Sequence, residues 1–255
     1  MDLDKIKQRL KNFQDQAAQR TTFLWKPPAG KTQIRIVPYK FNKDVQFTEL
    51  YFYFNLFGKK PILSPTSYGE ADPIVEFANK LKNAGGKDDY ILGRKLEPRP
   101  RIFTPIVVRT LENEGIKFWG FGTTVYTDLL AYLADDDYGD ISHPTTGRDI
   151  VVESITPQEA GNKYGKVSIR VKPKVEPLSK NSDELKALLE DQKNISELYK
   201  KHTYDELNDM LKNYLQPEDG ATEETKEASD SESEKGTDAK AKQADTAFKE
   251  LFDKD

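Results

Sequence analysis

The sequence predicts a mainly β chain with helical extensions, an α+β protein, and three observations lead there. Between Thr22 and Lys172, short apolar and aromatic runs alternate with Gly, Pro, Asn and Asp clusters, the rhythm of strands and turns. Apolar residues at three- and four-residue steps mark helices over residues 2–19 and again from Ser182. Residues 217–247 consist almost entirely of Glu, Asp, Ser, Thr, Lys, Ala and Gly, a composition that cannot bury a core and predicts disorder.

Taken in order, Leu3, Ile6, Leu10, Phe13 and Ala17 form one helical stripe, with Lys5, Lys7, Arg9 and Lys11 around it. A short helix with a lone stripe is marginal in water, so it docks on its own domain or on a neighbouring copy. The body opens at Thr22. After the Pro27-Pro28-Ala29-Gly30 turn, Thr32–Pro38 reads as a strand, and Glu49–Phe57 as a second with rings on both faces. Residues 58–89 read as an insertion, irregular at first and then a helix from Asp72 to about Ala84, with Pro73 in its first turn and Gly85-Gly86 ending it. Ile102–Leu111 and Ile116–Phe121 predict a hairpin, Thr123–Leu133 a helix, and Asp149–Ile155 with Lys166–Lys172 two further strands. Helices follow from Ser182, with Asn181 or Ser182 and Thr203 as caps. The simplest architecture is an OB-fold-like Greek-key barrel with an inserted subdomain. The domains expected are a basic arm (1–21), a core (22–215, with the insertion at 58–89 and a helical segment at 182–215) and an acidic tail (216–255).

The chain has 255 residues, no cysteine, two histidines and a net charge of −4. Without cysteine there are no disulfides and no thiolate metal sites. No secretory leader precedes the body and no apolar run is long enough to span a bilayer, so a soluble, intracellular protein is expected. Residues 217–255 hold thirteen Asp/Glu against six Lys, a balance of −7, which leaves +3 on residues 1–216. An acidic tail on a mildly basic body is the informative asymmetry. Catalysis has little support: a Cys–His dyad is impossible, His143 and His202 sit in unpromising contexts, and no phosphate-cradling Gly loop is present. The acidic run Asp135–Asp140 lacks the bidentate Glu of a calcium loop and reads as a solvated turn.

The most informative stretch is Tyr90–Gly122. Arg94, Lys95, Arg99 and Arg101 are four cations within eight residues, bracketed by Tyr90 and Phe103 and followed by Trp119. Pro98 and Pro100 predict an extended basic segment. Cations on an extended backbone can track phosphates, and neighbouring rings can stack on unpaired bases. The plainer alternative is a solvated basic loop beside an apolar hairpin. Tyr51, Tyr53, Lys163, Tyr164, Lys166, Arg170 and Lys172 add to the nucleic-acid reading. No helix has the character of a duplex-reading recognition helix, so sequence-tolerant binding to single strands is expected. The tail peptide around Phe248, Leu251 and Phe252 is expected to bind partners. The alternative is a scaffold or chaperone-like protein with a peptide-binding barrel; RNA is the nearer variant of the first reading.

Ile34-Arg35-Ile36-Val37-Pro38 after Ala29-Gly30, Tyr90…Arg94-Lys95 before Ile106-Val107-Val108, and Phe118-Trp119-Gly120-Phe121-Gly122 before a helix carry a resemblance. Together with a basic arm and an acidic tail, over about residues 1–215 in order, the chain resembles the single-stranded DNA-binding (helix-destabilising) protein family of T-even-type bacteriophages. The resemblance implies cooperative coating of single-stranded DNA in phage replication, recombination and repair, in the cytoplasm of an infected bacterium. It implies protomer contacts through Lys5, Lys7, Arg9 and Lys11, and replication and recombination partners through the tail. Tyr90, Arg94, Lys95, Trp119 and Tyr164 fall on family DNA-contact positions. The full DNA-binding set expected is Arg35, Tyr51, Tyr53, Lys59, Lys60, Tyr90, Arg94, Lys95, Arg99, Arg101, Phe103, Trp119, Tyr164 and Lys166. The family's structural zinc is expected to be missing and no cofactor to replace it. Its cysteine positions align approximately with Ser64, Asp72 and Val75, so packing of Ile62, Leu63, Ile74, Val75, Phe77 and Leu81 is expected to hold the insertion instead.

Overall fold

Period-two alternation from Gly30 onward builds a sheet whose main apolar face forms the larger core, while its central strand is buried on both faces. The computed structural model describes residues 23–58 and 60–215, together with Gln8. It is an α+β protein with a mixed, eight-stranded sheet. The strands are β1 (Leu24–Trp25), β2 (Gly30–Ile36), β3 (Thr48–Tyr53), β4 (Ile62–Leu63), β5 (Arg99–Val108), β6 (Lys117–Phe121), β7 (Arg148–Ile155) and β8 (Lys166–Val175). Six helices occur among the described residues: α1 (Pro73–Asn83), α2 (Lys87–Leu96), α3 (Thr123–Leu133), α4 (Pro157–Ala160), α5 (Ser182–Glu190) and α6 (Tyr204–Leu215). None of them is long and apolar enough to cross a membrane. The basic arm other than Gln8, the acidic tail with Phe248, Leu251 and Phe252, and Lys59 lie outside the described residues, as do the roles expected of Lys5, Lys7, Arg9 and Lys11.

The strand order is β1-β6-β5-β2-β7-β8, with β3 paired to β5 and β4. β1 runs parallel to β6, while β2 is antiparallel to β5 and β7. The β5–β6 and β7–β8 pairs are antiparallel as well. Among the described residues the sheet is open rather than a closed barrel. The reason is local. The edge of β6 is taken by β1, through Leu24 opposite Phe118 and Trp25 opposite Trp119, and α3 packs against β8.

The chain divides into two compact units, one of the described residues up to Leu50 with Pro100–Tyr199, the other of Tyr51–Arg99 with the described residues from Lys200. In the first unit, alternate residues of each strand point into one core: Ile34 and Ile36, Ile102 and Ile106, Trp119 and Phe121, Ile150 and Val152. Val125 and Leu129 of α3 complete it at three- to four-residue spacing. Burying each such side chain contributes roughly 1.5–3 kcal/mol. α5 lays Leu185, Leu188 and Leu189 against a smaller cluster of Val37, Val107 and Leu178, capped by the Asn181 side chain as expected.

The second unit packs Ile74, Phe77, Ala78 and Leu81 of α1 against Leu96 of α2, Leu207 and Leu211 of α6, and Tyr53. Asp72 caps α1 and Pro73 occupies its first turn. The extended basic segment expected over residues 94–101 is corrected here, because its first half is the helix α2. Asp88 and Asp89 sit in the first turn of that helix and Arg94 and Lys95 in its last, matching the helix dipole. Pro98 stops the helix by forcing Glu97 into extended geometry, so the prolines end a helix rather than stretch the whole segment. At Gly93 the two helices touch: a Cβ there would lie 2.7 Å from the Ala78 carbonyl oxygen. β3 is also shorter than expected, ending at Tyr53 before Asn55 adopts a positive φ.

Candidate nucleic-acid interface

Four residues of the expected DNA-binding set are interior. Arg35 is 0% exposed on β2. Its guanidinium lies 3.4 Å from Asp149 Oδ1 and donates to the His143 carbonyl at 2.8 Å. Arg109 grips the same carboxylate with two bonds of 2.9 Å and reaches the Leu178 and Pro177 carbonyls. Gln33 also donates to Asp149. Burial lowers the Arg35 pKa and Asp149 opposes that shift. Arg35 is therefore a buried structural cation, not a phosphate contact, and the network of Asp149 and Arg109 is one the sequence reading missed. The nearby cavity of about 670 Å³, lined by Gln33, Arg109, Asp149, Lys174 and Glu184, belongs to this network. Its Arg109 and Lys174 are paired with Asp149, Glu112 and Glu176.

Trp119 is 1% exposed. Its ring lies 4.6 Å from Phe121 and meets Trp25 edge-on at 5.8 Å, so it packs the core and presents no face to a base. Phe103 is buried on the opposite face of the β5–β6 pair, opposite Gly120 and 5.9 Å from Tyr199. Arg101 beside it donates to the Gly120 carbonyl at 2.5 Å. The expectation that Trp119 and Phe103 are stacking rings is thus corrected, because both sides of this hairpin are covered by the unit's own side chains.

Tyr53 is buried as well. Its hydroxyl donates to Asp72 Oδ2 at 2.8 Å, the Ser64 hydroxyl donates to the same oxygen at 2.5 Å, and the Ile74 N–H donates to Oδ1 at 2.9 Å. Burial, then the Asp72 charge, raises the Tyr53 pKa and keeps the phenol a donor. Ser64 and Asp72 are two of the positions aligned with the family's zinc cysteines. One carboxylate, one hydroxyl and Val75 do not fit a tetrahedral zinc site. Here they form a hydrogen-bonded clasp beside the packed Ile74, Phe77 and Leu81. No group of three or more His, Cys, Asp or Glu among the described residues could hold a metal ion.

Among the described residues, the other members of the set divide between the two units. In the second unit, α2 places Tyr90, Arg94 and Lys95 within six residues on its exposed side, next to an exposed Ile91. Arg94 pairs with Glu97 at 3.1 Å. Lys60, Arg99 and a half-buried Tyr51 also belong to this unit.

In the first unit, the β7–β8 hairpin carries Lys163, Tyr164 and Lys166, all exposed, and Arg170 exposed along β8. Tyr164 is 87% exposed, the most exposed large apolar or aromatic side chain among the described residues. The turn that presents it is well specified. Thr156 and Glu159 form a reciprocal cap on α4, and the Tyr164 N–H donates to Asn162 Oδ1 at 2.9 Å. Gly165 adopts a φ of +70°, and a Cβ there would meet the Ile155 carbonyl oxygen at 2.4 Å. The Lys163 ammonium lies 6.0 Å from the Tyr164 ring centroid. A ring held clear of the body between cations can stack on a flat partner while the cations meet its negative charges. A second exposed ring, Phe41 between Lys40 and Lys43, was passed over in the sequence reading although the flanking lysines were visible in the sequence.

No protein-family model matches the chain, and no curated protein matches it.

Proposed function

We propose that this chain binds single-stranded nucleic acid, DNA first, without sequence preference. In this reading it coats the strand cooperatively, serving phage DNA replication, recombination and repair as the family it resembles does. The observation that carries the proposal is Tyr164, projecting from a rigid turn between Lys163 and Lys166. Strand connectivity supports it. Counted along the chain, β2, β5, β6, β7 and β8 lie side by side in the order third, second, first, fourth, fifth, with α3 between the third and fourth. With β1, β3 and β4 left out of that count, the order is compatible with an oligonucleotide-binding Greek-key fold, in which the loop between the last two strands binds ligand. Tyr164 occupies that loop. Tyr90, Arg94 and Lys95 on α2 offer the same combination of ring and cations in the second unit.

The side chains favour binding over catalysis. His143 Nδ1 accepts the Thr146 N–H at 3.1 Å, and His202 pairs with Glu206 at 3.0 Å, so both histidines are engaged in local structure.

Tyr164→Ala is expected to weaken binding to oligo-dT by about 5- to 150-fold, the equivalent of about 1–3 kcal/mol of stacking, with the salt dependence unchanged. Lys166→Ala is expected to lower the slope of log K against log salt by about one. Fluorescence anisotropy over a salt series measures both. Parent-like binding by Tyr164→Ala would overturn the placement of the site.

A further inference from the structure

We propose that the loop between β2 and β3 is a second base-stacking platform of the same single-strand site, with Phe41 receiving a base and Lys40 and Lys43 meeting the flanking phosphates. The inference rests on the single-strand reading above and extends it to a surface which that reading does not use.

Phe41 is 50% exposed, yet the loop that carries it is tightly braced. Its ring stands edge-on to Tyr39 at 5.7 Å. Tyr39 is buried, its hydroxyl accepting the Ile195 N–H at 2.9 Å and donating to the Lys193 carbonyl at 3.3 Å. Three side-chain amides then tie the loop backbone down. Gln46 accepts the Tyr39 N–H at 3.2 Å, and Asn42 donates to the Phe47 carbonyl at 3.0 Å. Gln192 accepts the Lys40 N–H at 2.9 Å and donates to the Pro38 carbonyl at 2.8 Å. A mobile loop could fold an apolar ring inward, whereas this one holds its ring outward. Such preorganisation removes the ordering cost a ligand would otherwise meet.

The charges around the ring select the ligand. The Lys40 ammonium lies 5.9 Å from the Phe41 centroid and is steadied by the Glu190 carbonyl at 2.9 Å. Lys43 is exposed and has no hydrogen-bond or ion-pair partner among the described residues. Lys193, whose carbonyl anchors Tyr39, holds its ammonium 4.4 Å from the Phe23 ring. Asp44 is the single carboxylate within residues 38–47, against Lys40 and Lys43. A flat ring edged by cations fits a base with its phosphates and suits every base equally, because each has a π-face.

The test uses the full chain and a fluorescein-labelled dT oligonucleotide of about 16 nucleotides, the upper range of site sizes for one oligonucleotide-binding fold. Phe41→Ala is expected to bind about 5- to 150-fold more weakly with an unchanged salt slope. Lys43→Ala is expected to reduce that slope by about one. In Phe41→Trp, binding is expected to persist and the added indole emission to fall on DNA addition, measured as the difference from the parent. If the parent and Phe41→Ala bind within twofold of each other while Tyr164→Ala is weakened, this inference is wrong and the single-strand reading stands. If the parent binds no oligonucleotide, both fail. Unchanged thermal unfolding of Phe41→Ala separates a lost contact from a lost fold.

Discussion

Asp149 shows what a single side chain can decide. It is buried, accepts both arms of Arg109, and lies beside the Arg35 guanidinium at 3.4 Å. Removing it leaves Arg35 and Arg109 without their counter-charge, and breaking a buried pair in this way costs about 3–5 kcal/mol. Asp149→Ala is therefore expected to shift the urea midpoint strongly, whereas Lys166→Ala, on the surface, stays within about 0.5 kcal/mol of the parent. Equal midpoints would contradict the buried network. The same residue explains a limit of sequence reading. Arg35 stands in an alternating strand, where a cation ordinarily faces solvent, and its partner lies 114 positions away. Trp119 misleads for a related reason. Its neighbours Phe118 and Phe121 and the facing β5 residues are apolar enough to bury it, yet the sequence does not show which face of β6 looks inward. Tyr164 was legible because glycines at 161 and 165 isolate it in a turn.

At the scale of elements, the hairpin β7–β8, the helix α3 and the strand β2 follow the periodicity closely, since their apolar residues alternate or recur without interruption. α2 does not. Its sequence has a glycine inside, which argues against a helix locally, while the prolines just beyond it fit equally a helix end or an extended segment. Packing decides otherwise, because Leu96 inserts between α1 and α6 and Gly93 lets α1 approach. The consequence for function is geometric. Tyr90, Arg94 and Lys95 are displayed at helical spacing rather than strung out along an extended chain, so they engage a short length of strand. Arg94 is already drawn toward Glu97, whereas Lys95 has no ion-pair partner among the described residues. Lys95→Ala is expected to lower the salt slope of oligo-dT binding by about one, and Arg94→Ala by less. A larger effect at Arg94 would show that DNA displaces Glu97.

At the scale of the whole molecule, an α+β chain was readable from alternating strands followed by helices, but the opening of the sheet was not. Two residues of β1, too short to register as a strand, occupy the edge that closure needs. The inserted subdomain read at 58–89 lies inside the second unit, but the contribution of α6 to that unit was hidden, because α6 joins residues from Tyr51 to Arg99 across more than a hundred positions of sequence. What the two units share is a chemical pattern among the described residues: rings and cations brought to the surface on short, well-specified elements. That pattern is the central claim, and competition between nucleic acids tests it most directly. Anisotropy titrations of the full chain with single-stranded DNA, duplex DNA and RNA of equal length should be run at several salt concentrations. Single-stranded DNA is predicted to bind at least about tenfold more tightly than duplex, a gap of about 1.4 kcal/mol, with affinity falling as salt rises. Equal or tighter binding to duplex, or no salt-dependent binding to single strands, would contradict the account.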